Sequence, residues 1–331
     1  MCLRDPQSPP RVSVIVPAYN AGQWLDRCLR SVLGQEYPSF EVVVVDDGST
    51  DATPSIVAGY AARDGRVKVV RQPNGGLPSA RRAGIEHAVG EWIQWLDADD
   101  ELLPGALEAL VARADATGAD VVAAPFFWCY ADGRRERSAA LCFDRLSGTE
   151  YFGEILRGRG HWSVWSNFQR RELGLKYVGY FPEIVMGEDC LWMTQLLLND
   201  PAVAALDRPV LNYFVYPTSV SRGGTSSRKK YRDLCFVHEF MRREMARRGL
   251  EAHFREELLV QDGQMLYHGL HWGGLSDNVA AGRRAYELLR ERPDMSFVFT
   301  SRQLRFIAAC SGWALRGRLK ALFNRISGKT L

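Results

Sequence analysis

Three times between residues 11 and 90 the chain follows one plan, an unbroken apolar run, a polar loop and a segment of helical spacing, and it then begins a fourth. "RVSVIVPAYN" is rich in β-branched residues and stops at Pro17. "AGQWLDRCLRSVLGQ" then places Trp24, Leu25, Cys28, Leu29, Val32 and Leu33 at a helical period. "FEVVVVDDGSTD" and "RVKVVRQ" read as the next two strands, each followed by a helical stretch, and "EWIQWLDADD" reads as a fourth strand that runs into acids. A strand with one wet face alternates apolar and polar residues. Continuous runs predict strands buried on both faces, hence a mostly parallel sheet covered by helices. Ligands of such sheets bind beyond the carboxyl ends of the strands. The loops "PAYN", "DDGSTD", "QPNGG" and "DADDE" all fall at those ends.

The acids of "GEWIQWLDADDELLPG" are hard to explain as an ordinary surface loop. Asp97, Asp99 and Asp100 lie within four residues, and like charges so close disfavour one another's ionisation. Two carboxylates two residues apart at a strand end can face one cavity and suit a hard divalent cation. Asp97, Asp99, Glu101 and Glu108 also match positions of a calcium loop, but Leu102 stands where that loop needs glycine, and a strand precedes it instead of a helix. Asp47 has the chemistry to accept a hydrogen bond from a base or a ribose; a capped turn is the alternative. Glu188 and Asp189, in "MGEDCLW", open an apolar helical run, where acids are favoured by the helix dipole and also suit a pocket wall. Trp162, Trp165 and Phe168 read either as a sugar-stacking wall or as core.

The series "VSVIVPAYN", "VVVVDDGSTD", "NGGLPSARRAG", "GEWIQWLDADD" and "GEDCLW" resembles the inverting family 2 glycosyltransferases of GT-A fold. The resemblance covers roughly residues 11–220, expected as a catalytic domain, with a helical region at 221–331 and a basic tail at 302–331. It implies an enzyme moving one sugar from a UDP-sugar to an acceptor hydroxyl, with Mn2+ or Mg2+ as the divalent cation. By the match, Pro17 and Tyr19 border the base, Asp47 binds uracil or ribose, and Asp97 sits near ribose and cation. Asp99 would be the direct cation ligand, Asp189 the catalytic base, and Glu188 an acceptor ligand beside it. Arg81 falls in the family's Ala-Arg-Asn segment, whose Asn is here Arg82. Ser221 and Arg222 fall where relatives carry a loop that closes on the donor diphosphate. The processive members' Gln-x-x-Arg-Trp segment appears here as "QRREL", without its Trp, which favours transfer of a single sugar.

Other classes fit less well. No G-x-G-x-x-G follows a strand, against a dehydrogenase. "PAYNAGQW" lacks the glycine-rich basic loop of a nucleotidyltransferase. An inactive nucleotide-sugar-binding partner subunit is the alternative to an enzyme, and it need not keep Asp97, Asp99 and Asp189 together. A net charge of +3 gives no argument for a nucleic-acid partner. Seven cysteines without a CxxC predict core thiols in a reducing cytoplasm. The N-terminus shows no apolar signal segment, and no run reaches membrane-spanning length. After Asp294 there is no acid but seven Lys or Arg residues. With Leu304, Ile307, Leu315, Leu319, Leu322 and Ile326 on one helical face, the tail predicts peripheral contact with a membrane and a saccharide or lipid-linked saccharide acceptor. Packing onto the protein is the competing reading.

Overall fold

The computed structural model describes residues 9–216, 227–272 and 275–310. The chain divides into two compact units, Met1–Gly223 and Gly224–Leu331. In the first unit the strands are β1 (Val12–Ala18), β2 (Phe40–Asp46), β3 (Val67–Arg71), β4 (Trp92–Trp95), β5 (Glu101–Leu102), β6 (Val121–Ala123), β7 (Phe127–Tyr130), β8 (Arg135–Arg137), β9 (Arg145–Ser147), β10 (Asn167–Arg170), β11 (Ala202–Ala205) and β12 (Leu211–Val215). The helices are α1 (Leu25–Leu33), α2 (Thr53–Ala61), α3 (Leu77–His87), α4 (Ala106–Thr117), α5 (Gly148–Leu156), α6 (Arg171–Tyr177) and α7 (Glu188–Leu197).

The main sheet has eight strands in the order β3-β2-β1-β4-β10-β6-β11-β9. β1 pairs in parallel with β2 and β4, β2 with β3, and β6 with β11, while β10 and β9 run antiparallel to their neighbours. β1 and β2 are buried along their whole length, as their continuous apolar runs require. The far end of these strands is pinned by a buried carboxylate. Glu41 accepts from Ser13 Oγ at 2.6 Å and from the Val89 amide at 2.8 Å, and pairs with Lys68 at 2.6 Å. Burial disfavours the charge on Glu41, but these partners hold it ionised and below its usual range. The Gly90 amide completes the knot by donating to Ser13 Oγ at 2.8 Å.

"DVVAAPFFWCY" does not stay in one sheet. It splits around Pro125 into β6 of the main sheet and β7 of a second, four-stranded sheet ordered β5-β12-β7-β8. Proline offers no amide to a ladder, so the chain changes sheets there. Through the pairing of β12 with β5, this second sheet anchors the segment that follows the acid cluster.

The second unit contains α8 (Ser227–Arg247), α9 (Arg255–Trp272), α10 (Leu275–Glu291) and α11 (Ser301–Cys310). Its core gathers Ala285, Leu289, Met295, Phe299, Leu304 and Ile307. Leu304 and Ile307, expected on a lipid-facing stripe, are 5% and 0% exposed and belong to this core instead. On α11 the sequence pattern of an interfacial helix and that of a packed amphipathic helix coincide, and packing takes these two residues. The remainder of the predicted tail, residues 311–331, lies outside the described residues. Among the described residues no helix is long and apolar enough to cross a membrane.

Candidate active site

The four loops expected to carry chemistry do gather at the carboxyl ends of β1, β2, β3 and β4, and their polar side chains first of all build the loops themselves. Asn20 takes a left-handed conformation with φ of 49°, and its Oδ1 accepts from the Thr50 amide at 2.9 Å. The amides of Asn20, Ala21 and Gly22 donate to Ser49 Oγ, Thr53 Oγ1 and Asp51 Oδ2 at 2.8–2.9 Å. "DDGSTD" is therefore largely a brace for the loop after β1, a role that adjacent residue types in a sequence do not announce. Pro17 is buried in β1 beside Val45, whereas Tyr19 stands 53% exposed beyond it.

Asp47 is 3% exposed. Its Oδ1 accepts from Gln72 Nε2 at 2.6 Å and the Gly75 amide at 3.0 Å, and its Oδ2 from the Gly76 amide at 2.8 Å. Both oxygens thus secure the "QPNGG" loop. Gly48 makes the close approach feasible: at φ of 78°, a Cβ there would meet the Asn74 amide nitrogen at 2.8 Å.

The acid cluster separates into two roles. Leu96 still donates to Ile15, and the chain then turns, with the Asp100 amide donating to the Asp97 carbonyl at 3.0 Å. Asp97 and Asp99 are half-buried; Asp100 is 1% exposed. Asp100 Oδ1 accepts from the Phe214 amide at 2.8 Å, which ties the turn to β12. Burial pushes the Asp100 carboxyl well up, and the neighbouring Asp99 and Asp97 add to it. Arg27, which no sequence signal singled out, fastens the same turn. It donates to the Asp99 carbonyl at 2.5 Å, pairs with Glu101 at 2.9 Å and lies 3.7 Å above the Phe214 ring.

Arg81 joins the two ends of the site. It is 3% exposed on α3, which lies close against β1 because a methyl at Gly84 would overlap Ile15. Arg81 Nη1 donates to Asp189 Oδ1 at 2.5 Å and lies 3.7 Å from Glu188, while Nη2 lies 3.7 Å from Asp97. Its guanidinium, in a segment that could bring it toward phosphate, is enclosed by carboxylates from both sides of the site. Burial opposes the charge on Arg81, but Asp189, Asp97 and Glu188 outweigh it and the net shift is upward. Burial raises Asp97 to about 6 despite Arg81, with Asp99 adding to the rise. Burial and then the charge of Asp189 raise Glu188 to about 7. Glu188 and Asp189 open α7 after Gly187, whose φ of 85° turns the chain into the helix.

Among the described residues no three His, Cys, Asp or Glu side chains are grouped to hold a metal ion. Asp97 and Asp99 fit a weaker demand: two adjoining carboxylates, both pushed up by burial, at the mouth of a parallel sheet. Such a donor set suits a cation that completes its shell with water and substrate phosphate oxygens. The aromatic residues divide otherwise than a stacking wall requires. Phe168 is 1% exposed and stacked on Trp92, and Trp165 is 6% exposed and stacked on Tyr213. Trp162 meets Phe152 edge-on. Ser221 and Arg222 lie outside the described residues.

Solved structures share this architecture. S. aureus TarS residues 1–349, in complex with UDP-GlcNAc, superposes with a TM-score of 0.66 over 96% of this chain and 92% of that one, at 21% identity. The mannosyltransferase PcManGT from Pyrobaculum calidifontis, in complex with GDP-Man and Mn2+, gives 0.53 over 98% and 90%, at 19% identity. The fold is thus GT-A, a mainly parallel sheet covered by helices. Residues 13–169 match the model of the family described as Glycosyl transferase family 2. The uncharacterized glycosyltransferase YibD of Escherichia coli (strain K12) is 31% identical over 220 residues, 64% of this chain. The chain spans less than two thirds of the length of the curated relatives first matched, 63% in the case of YibD.

Proposed function

We propose that this protein is an inverting glycosyltransferase that moves one sugar from a UDP-sugar to a hydroxyl of a saccharide or lipid-linked saccharide, in bacterial surface-polysaccharide assembly. The observation that carries the reading is the enclosure of Arg81 by Asp97 on one side and by Glu188 and Asp189 on the other. It brings an acid suited to the donor's ribose and cation and an acid suited to the attacking hydroxyl around one buried guanidinium. In this reading Asp189 accepts the proton of the acceptor hydroxyl, work worth about 10²–10⁴-fold in rate. Glu188 receives a hydrogen bond from the acceptor when ionised. Tyr19 offers its exposed ring to the base beside Pro17. Asp47 acts on uracil or ribose through the loop it fastens or by exchanging one of its partners for the ligand. Asp97 and Asp99 would hold Mn2+ or Mg2+, which neutralises charge building on the diphosphate leaving group. TarS was solved with UDP-GlcNAc and PcManGT with GDP-Man and Mn2+, and both favour a nucleotide-sugar donor here. Arg222 remains a candidate for the diphosphate.

The test is UDP release from a panel of UDP-sugars, with Mn2+ or Mg2+ and with chelator, alongside calorimetry with UDP. Release from one donor that chelator abolishes is the expected result. UDP binding without release from any donor would favour the inactive partner subunit, and absence of UDP binding would refute the donor assignment.

A further inference from the structure

In the second unit α11 turns its aliphatic stripe inward and leaves its other face in water. Gln303 fixes the rotation of that helix: its Nε2 donates to the Tyr267 carbonyl at 3.2 Å, and its Oε1 accepts from the Thr300 amide at 2.9 Å. With Leu304 and Ile307 held in the core, Arg302, Arg305 and Phe306 share the exposed face, at the spacing of neighbours on a helix. Just before α11 the chain passes Met295 and Phe299, both buried in the same core, while Phe297 between them is 71% exposed. Among the described residues no other large apolar side chain is so exposed. A phenylalanine left that far in water adds little to the core beneath it. Its Cα lies four residues before that of Ser301, hence within about 14 Å of the start of α11.

Charge decides what this surface suits. From Met295 to Leu331 the chain has seven Lys and Arg residues and no Asp or Glu. The acid just before that stretch, Asp294, is paired with Arg292 at 2.8 Å. A second copy meeting the same surface face to face would set arginine against arginine, and the residues after 310 carry the same sign, so neither complements it. An anionic bilayer complements it twice. Phosphates of the headgroup layer attract guanidinium groups, and the boundary just below them accepts aromatic rings. We infer that the second unit docks on a membrane containing anionic phospholipid through Phe297 and the outer face of α11, with Phe297 and Phe306 entering the headgroup boundary and Arg302 at the phosphates. The surface that meets lipid is thus the one opposite Leu304 and Ile307.

The experiment is co-sedimentation of the full chain with vesicles of phosphatidylcholine alone and of phosphatidylcholine mixed with phosphatidylglycerol, repeated on Phe297→Ser, Phe297→Leu and Arg302→Gln. Circular dichroism melts check that the variants fold. The unaltered chain should sediment with the anionic vesicles and stay in solution with the neutral ones. Phe297→Ser should bind about fivefold to tenfold more weakly, Phe297→Leu nearly as well as the parent, and Arg302→Gln about fivefold more weakly. Three results overturn the inference: no binding to anionic vesicles, equal binding to neutral ones, or Phe297→Ser binding as the parent does, which would leave charge alone as the cause. Sedimentation velocity without vesicles adds a fourth. A dimer that Phe297→Ser abolishes would assign the surface to a second copy instead.

Discussion

Removing the guanidinium of Arg81 should take a large share of the protein's stability at neutral pH, and acid should repair part of the damage. In Arg81→Met a neutral side chain of similar length fills the space while Asp97, Glu188 and Asp189 remain around it. At an effective dielectric of about 20, a unit ion pair at 2.5 Å, the Arg81–Asp189 separation, is worth roughly 7 kcal/mol before desolvation is charged against it. Removing one partner of a buried pair typically costs about 3–5 kcal/mol net, because the survivors stay buried and uncompensated. Three survivors place Arg81→Met toward the upper end, against a total stability on the order of 5–15 kcal/mol. Without Arg81 the carboxylates hold protons more tightly folded than unfolded, so that contribution is present at low pH and is lost as pH rises through their folded pKa values. The deficit should therefore be larger at pH 7 than at pH 5. Arg81→Lys keeps the charge, but one ammonium cannot hold Asp189 and Asp97 through separate nitrogens, so it should lose about 1–2 kcal/mol and much of the activity. Urea unfolding followed by tryptophan fluorescence at both pH values measures these differences. An Arg81→Met midpoint equal to the parent's at pH 7, or a deficit that does not shrink at pH 5, would refute the reasoning.

Asp189→Asn should lower sugar transfer by about 10²–10⁴-fold, read as product formed per enzyme; equal rates in both proteins would remove Asp189 from the base role. Glu188, raised from 4.5 to about 7 by burial and by Asp189, contributes stability that is present below pH 4.5 and lost as pH rises through about 7. Glu188→Gln should flatten that decline, a change of about 1–3 kcal/mol across the window, and parallel pH profiles of urea midpoint would contradict it. Gly90→Ala would set a Cβ 2.6 Å from the Ser13 amide nitrogen and 2.8 Å from the Val12 carbonyl carbon. Backbone cannot yield as a side chain can, so it should cost about 1–3 kcal/mol, with a fall in melting temperature as the check.

How far the sequence could be read depended on the range over which each feature is encoded. Strands β1 to β4 and the helices between them follow from local periodicity, and the placement of the loops at the strand ends follows from topology alone. The excess of acids in "DADD" was visible for the same reason: like charges crowded over four residues are a local anomaly. Their division of labour was not local. Asp100 differs from Asp99 because β12, more than a hundred residues on, supplies the Phe214 amide. Arg27 gained its role from a carbonyl that sequence distance hides. Leu304 and Ile307 show the reverse case, a clear local pattern compatible with two partners, which packing against Ala285 and Leu289 decides.

By itself, then, the sequence determined the class of fold, the end of the sheet where chemistry belongs, and the residue types gathered there, because backbone preference and hydrophobic period act over a few residues. Only the tertiary structure decided which charges meet. Arg81 and Asp189 are 108 positions apart, and their pairing exists because Gly84 lets α3 lie against β1 while Gly187 turns α7 toward it. Coulomb energy depends on distance in space and on burial. Neither quantity is defined until the chain has folded.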